Sequence, residues 1–240
     1  MPQKSDSSVP RGSAEAIQME SLLALDRVSK SRFEQISVGN RVLSPYNGQP
    51  VAPWVSAVLH SYRFGNLASF RDTTEVSFVL DGKAPDNRLS FVAPSGTRLS
   101  KALAVFGANA SGKTNLLKPL PFLNWFTRES FRAPANTPLP VQNHFFADDH
   151  ACFFEVVFEA LDTIWRYEVT LTPERVLNEA LYNKKSARFG YVFMREWDSG
   201  ARQYTVRQQG FGFNPVEARK VGEKVSMLSA ALQYQVDLAQ

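Results

Sequence analysis

Two hydrophobic rhythms divide this chain. Residues 55–64 read as a strand, and over residues 74–80 apolar and polar positions alternate with the two-residue period of a half-buried strand. The Gly65-Asn66 turn between them makes the pair antiparallel. Residues 151–161, 164–171 and 191–196 read as further strands, and 202–208 extends the series. The first two form a hairpin through Asp162-Thr163, and residues 91–94 give one short strand more. Residues 102–106 are apolar without interruption, the pattern of a buried strand.

The other rhythm is helical. Ile17, Leu22, Leu25 and Val28 share a face over residues 14–30, and Val221, Val225, Leu228 and Leu232 share one from 215 to the end. A third helical pattern begins at Asn115. Pro119 and Pro121 sit early in it, and Pro119 has no N–H for the carbonyl four residues back, so this helix kinks or stops there. Residues 1–13, rich in Ser, Pro and charge, read as disordered. Pro45, Pro50 and Pro53 with Gly48 break the chain. We place a boundary near residue 50, giving an extension at 1–50 and the main body at 51–240.

Composition changes this picture little. The chain has 240 residues, 44% hydrophobic and 21% charged, which suits a folded domain with a sizeable core. The net charge of +4 permits nucleic-acid contact without requiring it. One cysteine, Cys152, excludes an intrachain disulfide. No apolar run approaches the length of a membrane span and no apolar leader opens the chain, so a cytoplasmic location and no membrane partner are the expectation.

The stretch between the apolar run and the third helix carries the chemistry. Gly107, Ala108, Asn109, Ala110, Ser111, Gly112, Lys113 and Thr114 fit G-x-x-x-x-G-K-[ST], the phosphate-cradling P-loop. A triphosphate is a dense anion that needs many donors at short range. The glycines let successive backbone N–H groups turn inward, and the helix that follows offers its free N–H groups. Lys113 adds a full charge for the β- and γ-phosphates, and Thr114 adds a hydroxyl for Mg²⁺. ATP and Mg²⁺ are the ligands this implies, with Asn115 at the rim of the site.

Several motifs together resemble one family. Tyr62-Arg-Phe-Gly-Asn-Leu-Ala-Ser-Phe70, a second strand, and the P-loop followed by Asn115-Leu-Leu-Lys118 are similar to the N-terminal half of an ABC-type ATPase head. This is the head of SMC, RecF and OLD-type proteins and of bacterial AAA-type ATP-binding proteins linked to abortive infection and phage defence. Phe154-Glu-Val-Val-Phe158, Trp165-Arg-Tyr167 and Val176-Leu-Asn-Glu-Ala-Leu-Tyr182 resemble that family's antiparallel lobe. The resemblance implies an α/β P-loop NTPase with an antiparallel β lobe beside the P-loop core. It also implies ATP and Mg²⁺ binding, a head-to-head homodimer in the complete protein, and coupling to an effector protein or to DNA. A glutamine near Gln142 touches Mg²⁺ in such heads, which makes Gln142 a second metal candidate beside Thr114; a solvated loop amide is the other reading.

Three departures stand against the pattern. Ala110 occupies a position where the family has Gly, Ala68 one where a basic residue precedes Ser-Phe, and Pro119 falls where the helix continues. A complete ATPase of this type also needs a carboxylate ending an apolar strand, to hold Mg²⁺ through water, and a neighbouring acid to position the attacking water. Glu155 and Glu159 come nearest in sequence, and their alternation reads as solvent-facing glutamates on an amphipathic strand. The Leu-Ser-x-Gly signature is absent, Leu228-Ser-Ala-Ala231 being no match. The chain therefore reads as half a head, incomplete at its C-terminal side, with no catalytic residue assigned and hydrolysis left open. A non-catalytic interaction module and a P-loop small-molecule kinase are the competing readings. His144, His150 and Cys152 lack the spacing and the fourth ligand of a zinc site.

Overall fold

The computed structural model describes residues 57–85 and 87–239, together with strands β1 (Ser37–Val38) and β2 (Arg41–Val42). The chain divides into two compact units, Met1–Trp54 and Val55–Gln240. In the first, β1 and β2 pair antiparallel, Ser37 opposite Val42. The helix expected over residues 14–30 lies outside the described residues.

The second unit is built on a seven-stranded antiparallel sheet of order β11-β10-β9-β8-β7-β3-β4. Its strands are β3 (Val58–Gly65), β4 (Thr74–Ser77), β7 (Cys152–Ala160), β8 (Thr163–Leu171), β9 (Val176–Lys184), β10 (Gly190–Asp198) and β11 (Gln203–Gln208). β5 (Ser90–Val92) and β6 (Arg98–Ser100) form a separate hairpin. The helices are α1 (Lys113–Leu117), α2 (Pro119–Glu129), α3 (Pro215–Lys220) and α4 (Met227–Gln233). The fold is α/β with a mostly antiparallel sheet, which is consistent with a P-loop NTPase.

Register makes the sheet two-faced. One row across β3, β7, β8, β9 and β10 reads Tyr62, Val156, Tyr167, Leu181 and Phe193, and the next reads Phe64, Phe154, Val169, Glu179 and Arg195. Most of these side chains are buried, and the core they form includes Leu123 and Phe126 of α2 and Met227, Ala230 and Ala231 of α4. The opposite face is ionic. Arg63 pairs with Glu155 at 3.5 Å and Arg166 with Glu168 at 2.8 Å. The Arg166 guanidinium also lies over Tyr182, 4.5 Å from its ring centre.

Glu155 and Glu159 are buried rather than solvent-facing. The alternation is correct, but the outer face is covered at both positions. Glu159 meets His60 Nε2 at 3.2 Å and accepts the Ser95 backbone N–H at 2.6 Å, from the loop that joins β5 to β6. The hairpin turn falls at Leu161-Asp162, one residue before the expected place, and both residues have positive φ, 53° and 52°. That is the twist a two-residue hairpin favours, although Leu is a poor residue for it. Strands β6 and β9 were not read from the alternation of residues. β9 belongs to the stretch carried by the family resemblance.

The helix expected from residue 215 to the end is broken into α3, α4 and a final short turn at Asp237–Ala239. The apolar spacing is real, but the carbonyls that would extend α3 are taken by a buried side chain. Arg195, fully buried on β10, donates to the carbonyls of Val221 and Gly222 at 2.8 Å each and of Val225 at 2.7 Å. α4 then restarts with the Ser226 hydroxyl accepting from Leu228 N at 3.1 Å. The fully buried Glu179 carboxylate accepts from Ser226 Oγ, Tyr167 Oη and Met227 N at 2.7, 2.9 and 3.0 Å. Burial raises the Glu179 carboxyl above its ordinary range, while Arg195 and these donors pull it back.

Residues 102–106 form no strand. They are irregular and exposed, with Phe106 at 89%. An apolar run becomes a strand only where a neighbour takes its N–H and C=O groups. Among the described residues no strand pairs with this segment.

Candidate phosphate-binding site

The loop between this exposed segment and α1 is shaped by local sterics. Ser111 N donates to the Ala108 carbonyl at 3.3 Å, and Ala110 and Gly112 both adopt left-handed backbone, φ 63° and 90°. At Gly112 a Cβ would lie 2.7 Å from Ser69 Oγ, and at Gly107 a Cβ would lie 2.7 Å from Ser111 Oγ. Gly112 is therefore favoured both by its left-handed backbone and by the approach of Ser69 and Phe70, whereas a Cβ at Gly107 would displace only the Ser111 hydroxyl. Ala110 holds a glycine-like conformation with a methyl group attached, which costs about 1–2 kcal/mol.

Lys113 folds back over the loop. Its ammonium donates to the Gly107 carbonyl at 2.8 Å and the Ala108 carbonyl at 2.6 Å. The charge thus lies inside the turn of the loop. Asn109, Ser111 and Thr114 are exposed beside it. Asn115 faces the protein instead, its side-chain nitrogen donating to Ser69 Oγ at 2.9 Å. That bond gives Asn115 a positioning role, tying the start of α1 to the turn after β3.

α1 ends at Leu117, as the prolines dictate. Asn115 C=O loses its usual partner at Pro119 and accepts from Lys118 N at 3.3 Å. Tyr62, buried on β3, donates its hydroxyl to the Leu116 carbonyl at 3.0 Å, so the sheet anchors the helix directly below the loop. Burial raises the Tyr62 phenol above its ordinary range, which keeps it a donor.

Asn66 organises the turn that faces the loop. Its Nδ2 donates to the carbonyls of Asp149 and Ala151 at 2.6 and 3.1 Å, and its Oδ1 accepts from His144 N at 3.0 Å. Cys152 donates its thiol to the Asn66 carbonyl at 3.0 Å. Burial, with Asp149 nearby, pushes that thiol up to about 11. Ala68 N donates to the Gln142 carbonyl at 2.8 Å, so the Gln142 loop rests on the same turn that touches Gly112. Gln142 itself is exposed and lines a cavity of about 470 Å³ with Ala68, Lys118, Phe122 and Trp125.

The loop, the turn after β3 and the Gln142 segment therefore converge. The carboxylates do not join them. Glu155 and Glu159 are engaged on the other face of the sheet, and among the described residues no group of three or more His, Cys, Asp or Glu is placed to hold a metal ion. The P-loop motif does not mark Tyr62, Ser69 or Lys118, although all three lie inside the stretches that carry the family resemblance. No described helix is long and apolar enough to cross a membrane.

Residues 103–201, less than half of the chain, match the model of the family described as "AAA domain, putative AbiEii toxin, Type IV TA system". The match starts just before Gly107 and runs through β10, and it supports an AAA-type ATPase family. No curated protein and no solved structure matches the chain.

Proposed function

We propose that this chain binds ATP with Mg²⁺ on residues 107–115, as the nucleotide-binding part of an ABC-type ATPase head acting in phage defence or DNA maintenance. The observation that carries this reading is the agreement between the motif and its backbone. Gly112 has the left-handed backbone and the close approach of Ser69 and Phe70 that favour glycine, Gly107 packs against the Ser111 hydroxyl, and the lysine charge lies within the loop they shape. The family match over residues 103–201 supports the ATPase class and is compatible with a link to abortive infection.

In this reading the loop N–H groups surround the β- and γ-phosphates. Lys113 exchanges its two carbonyl partners for phosphate oxygens, and Thr114 presents its hydroxyl to Mg²⁺. Bound Mg²⁺ neutralises phosphate charge. Ser69 and Tyr62 hold the helix start in place, and Gln142 is the second metal candidate. A head-to-head homodimer around ATP, an effector protein and DNA are the partners this reading carries. The test is ATP binding by calorimetry with and without Lys113→Ala. Loss in the variant is expected, and equal affinity in both sinks the reading.

A second reading has its own motive. The candidate acids are engaged away from the loop, and Leu103, Val105 and Phe106 are exposed, as on an interaction module that binds without hydrolysing. Sustained Mg²⁺-dependent ATP turnover by the purified chain excludes it.

A further inference from the structure

Lys118 is a cation that the motif does not account for. It follows α1 with helical backbone, φ −57° and ψ −32°, and stands four residues after Thr114. Residues four apart share one helix face, and the rise between them is about 6 Å. Helical side chains lean toward the N-terminus, so an extended lysine here carries its ammonium back to the level of the Thr114 hydroxyl. The same stripe continues through Phe122 and Trp125 and forms one wall of the cavity of about 470 Å³ that Lys118 lines. Ala68 and Gln142 line the same cavity, and Ala68 contributes no charge.

The prolines add to this. They remove backbone donors from the turn that carries Lys118 and change the course of the helix directly after it. Lys118 is exposed, and among the described residues its ammonium has no hydrogen bond or ion pair. Lys113, the other lysine of this helix, is by contrast held by the loop carbonyls of Gly107 and Ala108.

Building on the nucleotide-binding reading above, we propose that Lys118 contacts the terminal phosphate of the bound nucleotide. It thereby makes the chain discriminate a nucleoside triphosphate from a diphosphate. Lys113, inside the loop, serves both nucleotides. Lys118 approaches from the Thr114 side, toward the third phosphate, and Gln142 lines the same cavity as Lys118.

The experiment is calorimetric titration of the full chain with a non-hydrolysable ATP analogue and with ADP, both with Mg²⁺. The proteins compared are wild type, Lys113→Ala, Lys118→Ala and Lys118→Arg. Lys118→Ala is expected to weaken the triphosphate about tenfold and leave ADP within about twofold, the size of one lost charge-assisted hydrogen bond. Lys118→Arg retains the preference. Equal weakening of both ligands, or of neither, overturns the role of Lys118 while loss of binding in Lys113→Ala still upholds the loop as the site. Failure of the wild type to bind either nucleotide overturns both. An unchanged melting temperature for Lys118→Ala separates lost contact from lost fold.

Discussion

The antiparallel lobe and the phosphate loop treat their polar groups in opposite ways. In the lobe, Arg195 and Glu179 are wholly buried, yet they receive a set of carbonyls, hydroxyls and backbone N–H groups that ties β8, β9 and β10 to the start of α4. In the loop, residues 101–111 are exposed throughout, and among the described residues the apolar run before it pairs with no strand. Both regions contain backbone that L-residues adopt reluctantly, at Leu161 in the lobe and Ala110 in the loop. The lesson concerns where binding capacity is kept. A network that satisfies itself stabilises the fold, whereas N–H groups and a lysine left at the surface remain available to a ligand.

The largest expected effect breaks the lobe. Arg195→Met leaves Glu179 without its counter-charge and three carbonyls without donors, and should destabilise by about 3–5 kcal/mol in urea unfolding. The double variant Arg195→Met with Glu179→Gln should lose less than the single one, because no uncompensated charge stays buried. A single variant at wild-type stability would mean that the network is structurally idle.

Lys113→Ala does the reverse. It should lower ATP affinity about 100-fold, through two or more lost charge-assisted bonds, while unfolding stability moves by less than about 0.5 kcal/mol. A large fall in stability would show that the loop is part of the core after all.

Cys152 stands between the two regions, its thiol held by the Asn66 carbonyl under the turn that touches Gly112. Its folded pKa of about 11 is raised above the unfolded value near ~8.5. The folded state therefore holds the proton more tightly. That contribution to stability is complete below about pH 8.5 and is lost as pH rises toward 11. Urea midpoints of wild type and Cys152→Ala, compared from pH 7 to 11, should converge or cross at the alkaline end. Parallel curves would remove the thiol from the account.

The smallest effects come from relaxing the two strained residues. Leu161→Gly should raise global stability by roughly 0.5–1 kcal/mol, because the hairpin is part of the cooperative unit. Ala110→Gly should leave the urea midpoint nearly unchanged and raise ATP affinity by up to about fivefold, because a relieved loop adopts the cradle at lower cost. If Ala110→Gly shifts the midpoint and Leu161→Gly does not, the contrast between the regions is reversed.

Much of the lobe was legible in the sequence because alternation is a local signal. β4, β8 and β11 follow the period of two, β3, β7 and β10 are short apolar-rich runs that read as strands without strict alternation, and the break at Pro119 follows from a missing N–H. The long C-terminal helix was misread because Arg195 acts on Val221 and Val225 from 26 and 30 positions away, beyond the reach of any window. Residues 102–106 were misread for a related reason. Apolar character says that a segment wants burial, while strand formation depends on who stands beside it. Glu155 and Glu159 were placed on the correct face but given the wrong environment, since a covering loop and an Arg63 pairing are tertiary facts.

The sequence by itself determined the phosphate-loop motif and its lysine, the hydroxyl at Thr114, the antiparallel rhythm and the proline break. Each of these depends on residues within one or two turns of chain. Only the tertiary structure decided that Asn115 is tied to Ser69, that Tyr62 anchors α1, that Asn66 brings the Gln142 loop onto the same turn, and that Lys118 lines a cavity with Gln142. These pairings join positions 24 to 78 residues apart. At such separations a contact exists because the sheet brings the two strands or loops together, and no spacing rule in the chain records it.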